Sequence, residues 1–155
     1  MKLHQTMKDV NYDYEVYLWK NQDITPKNFP ITYSLIQRSL KFEKTLDRSL
    51  KAPIAALIRY EALFHHGGVY FDFKAEGSKK LDPFLKYEIF FDDCDYLRYE
   101  TIDWIGNGGI GSVPNNYHFL YVLQSFISQD IFDYYNKATP TMVGGFTLRK
   151  SFTEE

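Results

Sequence analysis

The stretch Tyr14-Glu15-Val16-Tyr17-Leu18-Trp19 alternates with the period of a half-buried strand and uses the aromatic and branched residues that strands favour. Pro26 and Pro30 then mark a loop. From Thr32 to about Leu46, the residues Leu35, Ile36, Leu40 and Phe42 recur at near-helical spacing and predict a helix. A second helix is predicted from about Pro53, well tolerated in a first turn, to His66. Ile54, Leu57, Ile58, Leu63 and Phe64 form its apolar side. Gly67 offers the left-handed residue that ends a helix, and Val69 to Phe73 reads as a strand entered straight from it.

Glu88 to Phe91 and Tyr96 to Tyr99 read as two further short strands, with Asp92, Asp93 and Asp95 in the turn between them. The glycine-rich run from Ile105 to Ser112 leads from a loop into a strand, and Pro114-Asn115-Asn116 introduces another helix. That helix carries Phe119, Leu120, Leu123, Phe126 and Ile127 at core spacing. Thr139 to Gly145 reads as loop, followed by a short segment from Phe146 to Arg149 of no assigned type. Strands alternating with helices predict an α/β layer fold, whose ligands sit at the carboxyl ends of strands.

A length of 155 residues points to a single domain, 1–155, with a real hydrophobic core. Thirteen Tyr and 13 Phe raise the aromatic share to 18%, so the core is bulky and stacking surfaces are available. A formal charge of −2, without any basic run, argues against nucleic acid as a partner. Cys94 is the only cysteine, which rules out an internal disulfide and a Cys-based zinc site and leaves a buried structural thiol as the expectation. No apolar run approaches the ~20 residues of a membrane helix, and the N-terminus lacks a signal-peptide core. The chain as given is therefore expected to be soluble and cytoplasmic, or Golgi membrane-associated if an N-terminal anchor is missing.

The candidate chemistry concentrates between Arg59 and Lys74, where a helix, a Gly-Gly stop and a strand ending in a carboxylate follow one another. Residues two apart on a strand share a face about 6 to 7 Å apart, so Asp72 and Lys74 are expected side by side, with Phe71 and Phe73 opposite. Two carboxylates in that arrangement would hold a hard divalent cation that neutralises a diphosphate. Here one carboxylate and one ammonium stand there instead, which raises the local charge by two units.

The order of these blocks resembles the family 32 glycosyltransferases, which carry the DxD sugar-binding region, include α-mannosyltransferases and are similar to the catalytic cores of glucosylating toxins. The resemblance rests on Tyr12 to Trp19, Arg59-Tyr60-Glu61-Ala62-Leu63 through Gly67-Gly68-Val69-Tyr70-Phe71-Asp72, Leu81-Asp82, and Asn107 to Pro114, and covers about residues 12 to 145. It implies a GT-A-like, Rossmann-like mixed sheet with flanking helices, here truncated at both ends. It also implies a UDP- or GDP-hexose donor, a glycan, lipid or protein hydroxyl as acceptor, retention at the anomeric carbon, and Mn²⁺ or Mg²⁺. By the same resemblance Arg59 contacts the donor sugar or ribose, Asp72 contacts sugar, ribose or metal-bound water, and Asn107 lies near the donor sugar. No catalytic group is assigned.

Two departures from the family pattern bear on the site. Lys74 replaces the second carboxylate, and Ala56 stands where the family commonly has an Asp three residues before the arginine. Three readings of Lys74 stay open. At about 4 Å from a phosphate charge it contributes roughly 4 kcal/mol at an effective dielectric near 20, before desolvation. Alternatively it pairs with Asp72 or Glu76 in a relative that has lost transfer, or it turns to solvent while Asp72 holds the metal with Glu76 or a residue outside the strand.

The remaining candidates have structural readings beside functional ones. His65 and His66 suit a helix C-terminus. Asp92, Asp93 and Asp95 suit a solvated turn better than a cation site. Gly106 to Gly111 lacks the lysine and serine of a phosphate loop and is read as a tight sugar-facing loop. Trp104 could stack on a sugar or fill the core. Glu61, two positions from Arg59, is expected to make a structural salt link elsewhere.

Overall fold

The computed structural model describes residues 13–42, 51–72, 75–92, 105–106, 108–128 and 151–152. Among the described residues three helices and three strands follow in the order α1 (Pro30–Phe42), α2 (Lys51–His66), β1 (Gly68–Phe71), β2 (Ile89–Phe91), β3 (Gly109–Ser112) and α3 (Tyr117–Ser128). One 3₁₀ turn, Asn21–Asp23, precedes α1, and another, Asp82–Phe84, lies between β1 and β2. The expected strand at Tyr96 to Tyr99, the residues Asp93, Cys94 and Asp95, and the segments Thr139 to Gly145 and Phe146 to Arg149 lie outside the described residues.

The sheet is antiparallel in the order β1-β3-β2, which makes β1 and β2 parallel neighbours of one central strand. Tyr70, Ile110 and Phe91 stand directly across from one another and share the face that packs on the helices. Leu35 of α1, Leu57, Tyr60 and Leu63 of α2, and Phe119, Val122, Leu123 and Phe126 of α3 close the core around Ile110. The mixed α/β architecture is therefore present as a sheet layer with helices on it.

The β3 glycines reflect cross-strand packing. A side chain at Gly109 would press on the Phe71 ring at 3.2 Å, and one at Gly111 would collide with the Phe90 ring. Aromatics on both outer strands thus lie across the bare central strand, a pairing that recovers apolar contact where glycine supplies none. Half of the glycine-rich run is consequently a buried strand, and only its first part remains loop.

Helix α2 ends as the Gly-Gly pair predicts. Gly67 takes φ 64° and its N–H donates to the Leu63 carbonyl at 2.9 Å, while Gly68 takes φ 87°. A Cβ on Gly67 would sit 2.7 Å from the Pro114 ring, so both conformation and space demand glycine there.

The strand expected at Tyr14 to Trp19 is not formed. That segment has no regular secondary structure and no ladder, and Val16, Tyr17 and Leu18 are exposed. Alternation yields a strand only where a neighbour accepts the backbone, and no described strand pairs with this segment. Trp19 anchors it, edge-on to Phe29 at 4.9 Å and stacked on His66 at 5.7 Å, and Tyr14 lies against the Asp82 carboxylate.

Helix α1 starts two residues earlier than the apolar spacing implied, with Pro30 in its first position. Phe29 before it has no side-chain acceptor for the free N–H groups of the first turn. Glu61 of α2 supplies both, accepting from Ile31 N–H and Thr32 N–H at 2.7 Å each. Glu61 is fully buried and makes the structural salt link expected of it with His65, whose Nε2 stands 3.6 Å from Oε1 and completes an ion pair when protonated; its role as a helix cap delivered from another helix is additional.

Helix α3 begins after Asn116; Asn115 before it takes φ 60° and donates its N–H to the Phe64 carbonyl at 2.7 Å. Val122 is a core residue that the apolar spacing did not single out, whereas Ile127 is exposed. His118 in its first turn lies between the Tyr117 and Phe152 rings, with Nδ1 3.1 Å from the Ser151 carbonyl oxygen. Burial lowers its pKa from 6.5, only partly opposed by the Ser151 carbonyl. The unfolded chain then binds the proton more readily. The stabilisation is full above pH 6.5 and is lost as pH falls through the lower folded value. Urea unfolding at pH 7.5 and pH 5.5 should show a slope that His118→Asn flattens; an unchanged slope would contradict this assignment.

Candidate functional site

Arg59 sits on the face of α2 that packs on the sheet, and Tyr70 and Asp72, two residues apart in and just beyond β1, emerge toward it. The Arg59 Nη2 donates to Asp72 Oδ1 at 2.7 Å and to the Tyr70 hydroxyl at 3.1 Å. Its guanidinium carbon lies 4.3 Å from the Tyr70 ring centre. Tyr70 in turn donates to Asp72 Oδ1 at 2.9 Å, so three side chains lock one another. Arg59 is 7% exposed, while Asp72 is half-exposed and keeps its second oxygen free of these bonds.

Burial raises the Tyr70 pKa; the Arg59 charge opposes that shift and the Asp72 carboxylate adds to it. The phenol therefore stays protonated as the donor to Asp72. The strand reading of Val69 to Phe73 marks Tyr70 as sharing the Asp72 face, which was the available signal for its role.

β1 ends at Phe71, one residue before Asp72, whose N–H donates to the Gly108 carbonyl at 2.6 Å. Phe73 and Lys74 lie outside the described residues, as do Trp104 and Asn107. Of the five candidate residues, the structure brings Arg59 and Asp72 together.

A second carboxylate approaches the same place. Asp92 directly follows β2 and its N–H donates to the Gly109 carbonyl at 2.7 Å, so Asp72 and Asp92 flank the entry to β3 from both sides. A Cβ on Gly108 would lie 2.9 Å from Asp92 Oδ2 and 3.4 Å from Asp72 Oδ2, and one on Gly106 would overlap the Asp92 carboxylate. Burial raises the Asp92 pKa; a backbone hydrogen bond with Gly109 opposes this, the nearby Asp72 charge reinforces it and Arg59 opposes it. Asp92 is exposed, as expected of a solvated position after a strand, and it also lies beside the Arg59–Asp72 pair.

Oxygens of two carboxylates thus lie near Gly108, and carboxylate oxygens are the donors that a hard divalent cation takes, with phosphate and water completing its shell. Among the described residues no group of three or more His, Cys, Asp or Glu side chains is placed to hold a metal. The groove lined by Glu88, Ile89, Val113, Asn116 and His118 lies at the other end of the sheet and takes no part in this arrangement.

Residues 1–91 match the family described as the glycosyltransferase sugar-binding region containing the DXD motif, and this segment includes Arg59, Tyr70 and Asp72. The chain belongs to that glycosyltransferase family. Two mannosyl phosphorylinositol ceramide synthases of Saccharomyces cerevisiae, SUR1 and CSH1, are each 31% identical over 81% of this chain and 30% of their own length. An uncharacterized glycosyltransferase of Acanthamoeba polyphaga mimivirus is 29% identical over 99% of this chain and 57% of its own length. The chain thus spans about a third of the yeast relatives and somewhat more than half of the viral one. No solved structure matches the chain significantly. Among the described residues no helix is long and apolar enough to cross a membrane.

Proposed function

We propose that this domain binds a nucleotide-diphosphate sugar and transfers its hexose to an acceptor hydroxyl with retention, on a GT-A-like framework. The observation that carries this reading is the Arg59–Tyr70–Asp72 lock at the carboxyl end of β1, inside the segment that matches the sugar-binding region. A fixed cation held by a half-exposed carboxylate gives a donor for phosphate or ribose oxygens beside an acceptor for sugar hydroxyls. Lys74 and Asn107 complete the donor site in this reading, and Trp104 stacks on sugar or base. The names of two relatives favour mannose as the hexose and a lipid as the acceptor.

In the transfer, the bond from the anomeric carbon to the diphosphate breaks and one to the acceptor oxygen forms on the same face. The acceptor's proton is taken up by the departing diphosphate. A divalent cation, Mn²⁺ or Mg²⁺, would supply charge neutralisation of that diphosphate when bound, and Asp72 is the residue that would hold it. Arg59 orients Asp72 so that Oδ1 is occupied and Oδ2 lies on the Gly108 side, 3.4 Å from a Cβ placed there.

Donor-dependent thermal stabilisation tests the reading. A UDP- or GDP-hexose at a hundredfold excess over its Kd stabilises the folded state by about 2.7 kcal/mol, which for a domain of this size raises Tm by roughly 5 to 10 °C. Absence of any shift with every donor, both with Mn²⁺ and with EDTA, sinks it. A second reading, a relative that keeps the fold without transfer, is favoured by Ala56. This residue is buried in the core where the family commonly has an Asp. Donor stabilisation without turnover of the nucleotide sugar would select it.

A further inference from the structure

We propose that Asp92 supplies the second carboxylate that the Asp-Phe-Lys sequence lacks, so that a divalent cation is held across the sheet by Asp72 and Asp92 together. The inference rests on the donor-site reading above.

In an Asp-x-Asp arrangement both acids come from one strand. Here Lys74 occupies the second position, and the strand order β1-β3-β2 provides another route. Because β1 and β2 run parallel on either side of β3, the residues that follow them, Asp72 and Asp92, leave the sheet at the same edge. Each is held there by its own N–H, donated to consecutive carbonyls of Gly108 and Gly109. One oxygen of each acid then approaches the position where Gly108 has no side chain, Asp92 Oδ2 at 2.9 Å and Asp72 Oδ2 at 3.4 Å from a Cβ placed there.

The surroundings discriminate between the two oxygens of Asp72. Oδ1 is taken by Arg59 and Tyr70, which leaves Oδ2 as the one that faces Asp92 across the gap. Two acids at that gap carry two negative charges, and Arg59 offsets only one of them. A divalent ion completed by diphosphate oxygens and waters closes the balance, the usual way a small hard cation is bound with only one or two protein carboxylates. Glycine at 106 and 108 is required on this account because any side chain would fill the space the Asp92 carboxylate or the ion needs. Lys74 is then released from the metal and left for the diphosphate.

The test is Mn²⁺ binding by electron paramagnetic resonance, with UDP and GDP each present or absent, on the wild type, Asp92→Asn, Asp72→Asn and Gly108→Ala. Asp92→Asn keeps the shape and should weaken Mn²⁺ binding in the presence of nucleotide at least tenfold. Asp72→Asn should do the same, and Gly108→Ala should act in the same direction through the space it fills. Asp92→Asn should keep the wild-type urea midpoint within a few tenths molar, which separates loss of the ion from loss of the fold, whereas Asp72→Asn, which removes the charge partner of the buried Arg59, should lower it. If Asp92→Asn binds Mn²⁺ as the wild type does, the inference is overturned. If nucleotide binds the wild type equally in Mn²⁺ and in EDTA, the inference fails while the donor site stands. If the wild type binds neither ion nor nucleotide, both fail.

Discussion

Glu61→Ala is expected to lower the stability of the domain by about 3 kcal/mol, because one fully buried carboxylate accepts two first-turn N–H groups of α1 and no local residue can replace it. A hydrogen bond to a charged group contributes about 1.5 to 3 kcal/mol, and each donor left buried without a partner carries a comparable penalty. Water entering the space vacated by the side chain offsets part of the loss, which places the expected value below the simple total. The positive end of the α1 dipole also loses its compensating charge. Glu61→Gln keeps the volume and one acceptor but points an amide N–H at the other donor, so it should recover less than half of the loss. Urea unfolding followed by far-UV circular dichroism measures both. A Glu61→Ala protein within 1 kcal/mol of wild type would contradict the assignment of Glu61 as the cap of α1.

The same helix explains why Arg59 and Glu61 stand two apart. A separation of two residues turns the side chains about 200° around the axis, so one reaches the sheet edge and the other reaches α1. The donor site and the packing of α1 are therefore fixed by neighbouring positions of one rigid element, and a rotation of α2 that displaced Arg59 would also withdraw the cap.

What could be read from the sequence divides along the range of the interactions involved. Helix α2, its stop at Gly67, the turn into β1 and the start of α3 after Asn116 depend on residues within a turn of one another, and all were legible. Tyr14 to Trp19 carries an equally clear alternation, but a strand is completed by a partner that lies elsewhere, and none of the described strands supplies it. Asp92 illustrates the same limit at the site. At the head of the acidic run Asp92-Asp93-Cys94-Asp95 it reads as a solvated turn, and only the order β1-β3-β2 brings it to the Gly108 position opposite Asp72. The signal for Glu61 was present in another form: Phe29-Pro30 begins a helix without a side-chain acceptor, and a buried acid must then come from a distance.

Arg59→Ala should weaken donor binding by roughly thirtyfold, about 2 kcal/mol, the range of a single charge-assisted hydrogen bond lost from a partly buried site. Its guanidinium is held by the Asp72 carboxylate at 2.7 Å and the Tyr70 hydroxyl at 3.1 Å, and it lies over the Tyr70 ring. Lysine can restore the charge but not the planar fork, so Arg59→Lys should recover less than half of the lost binding free energy. Two roles for Arg59 are separable, direct contact with the donor or positioning of Asp72, and a double-mutant cycle with Asp72→Asn distinguishes them. If Arg59 acts only by orienting Asp72, the double variant binds donor no more weakly than Asp72→Asn alone. If Arg59 also touches the donor, the double variant loses a further tenfold or more. Isothermal titration with the donor that gives the largest thermal shift measures each corner of the cycle, with the urea midpoint recorded beside it. Unchanged donor affinity in a folded Arg59→Ala protein would remove Arg59 from the site and, with it, the observation on which the proposed function stands.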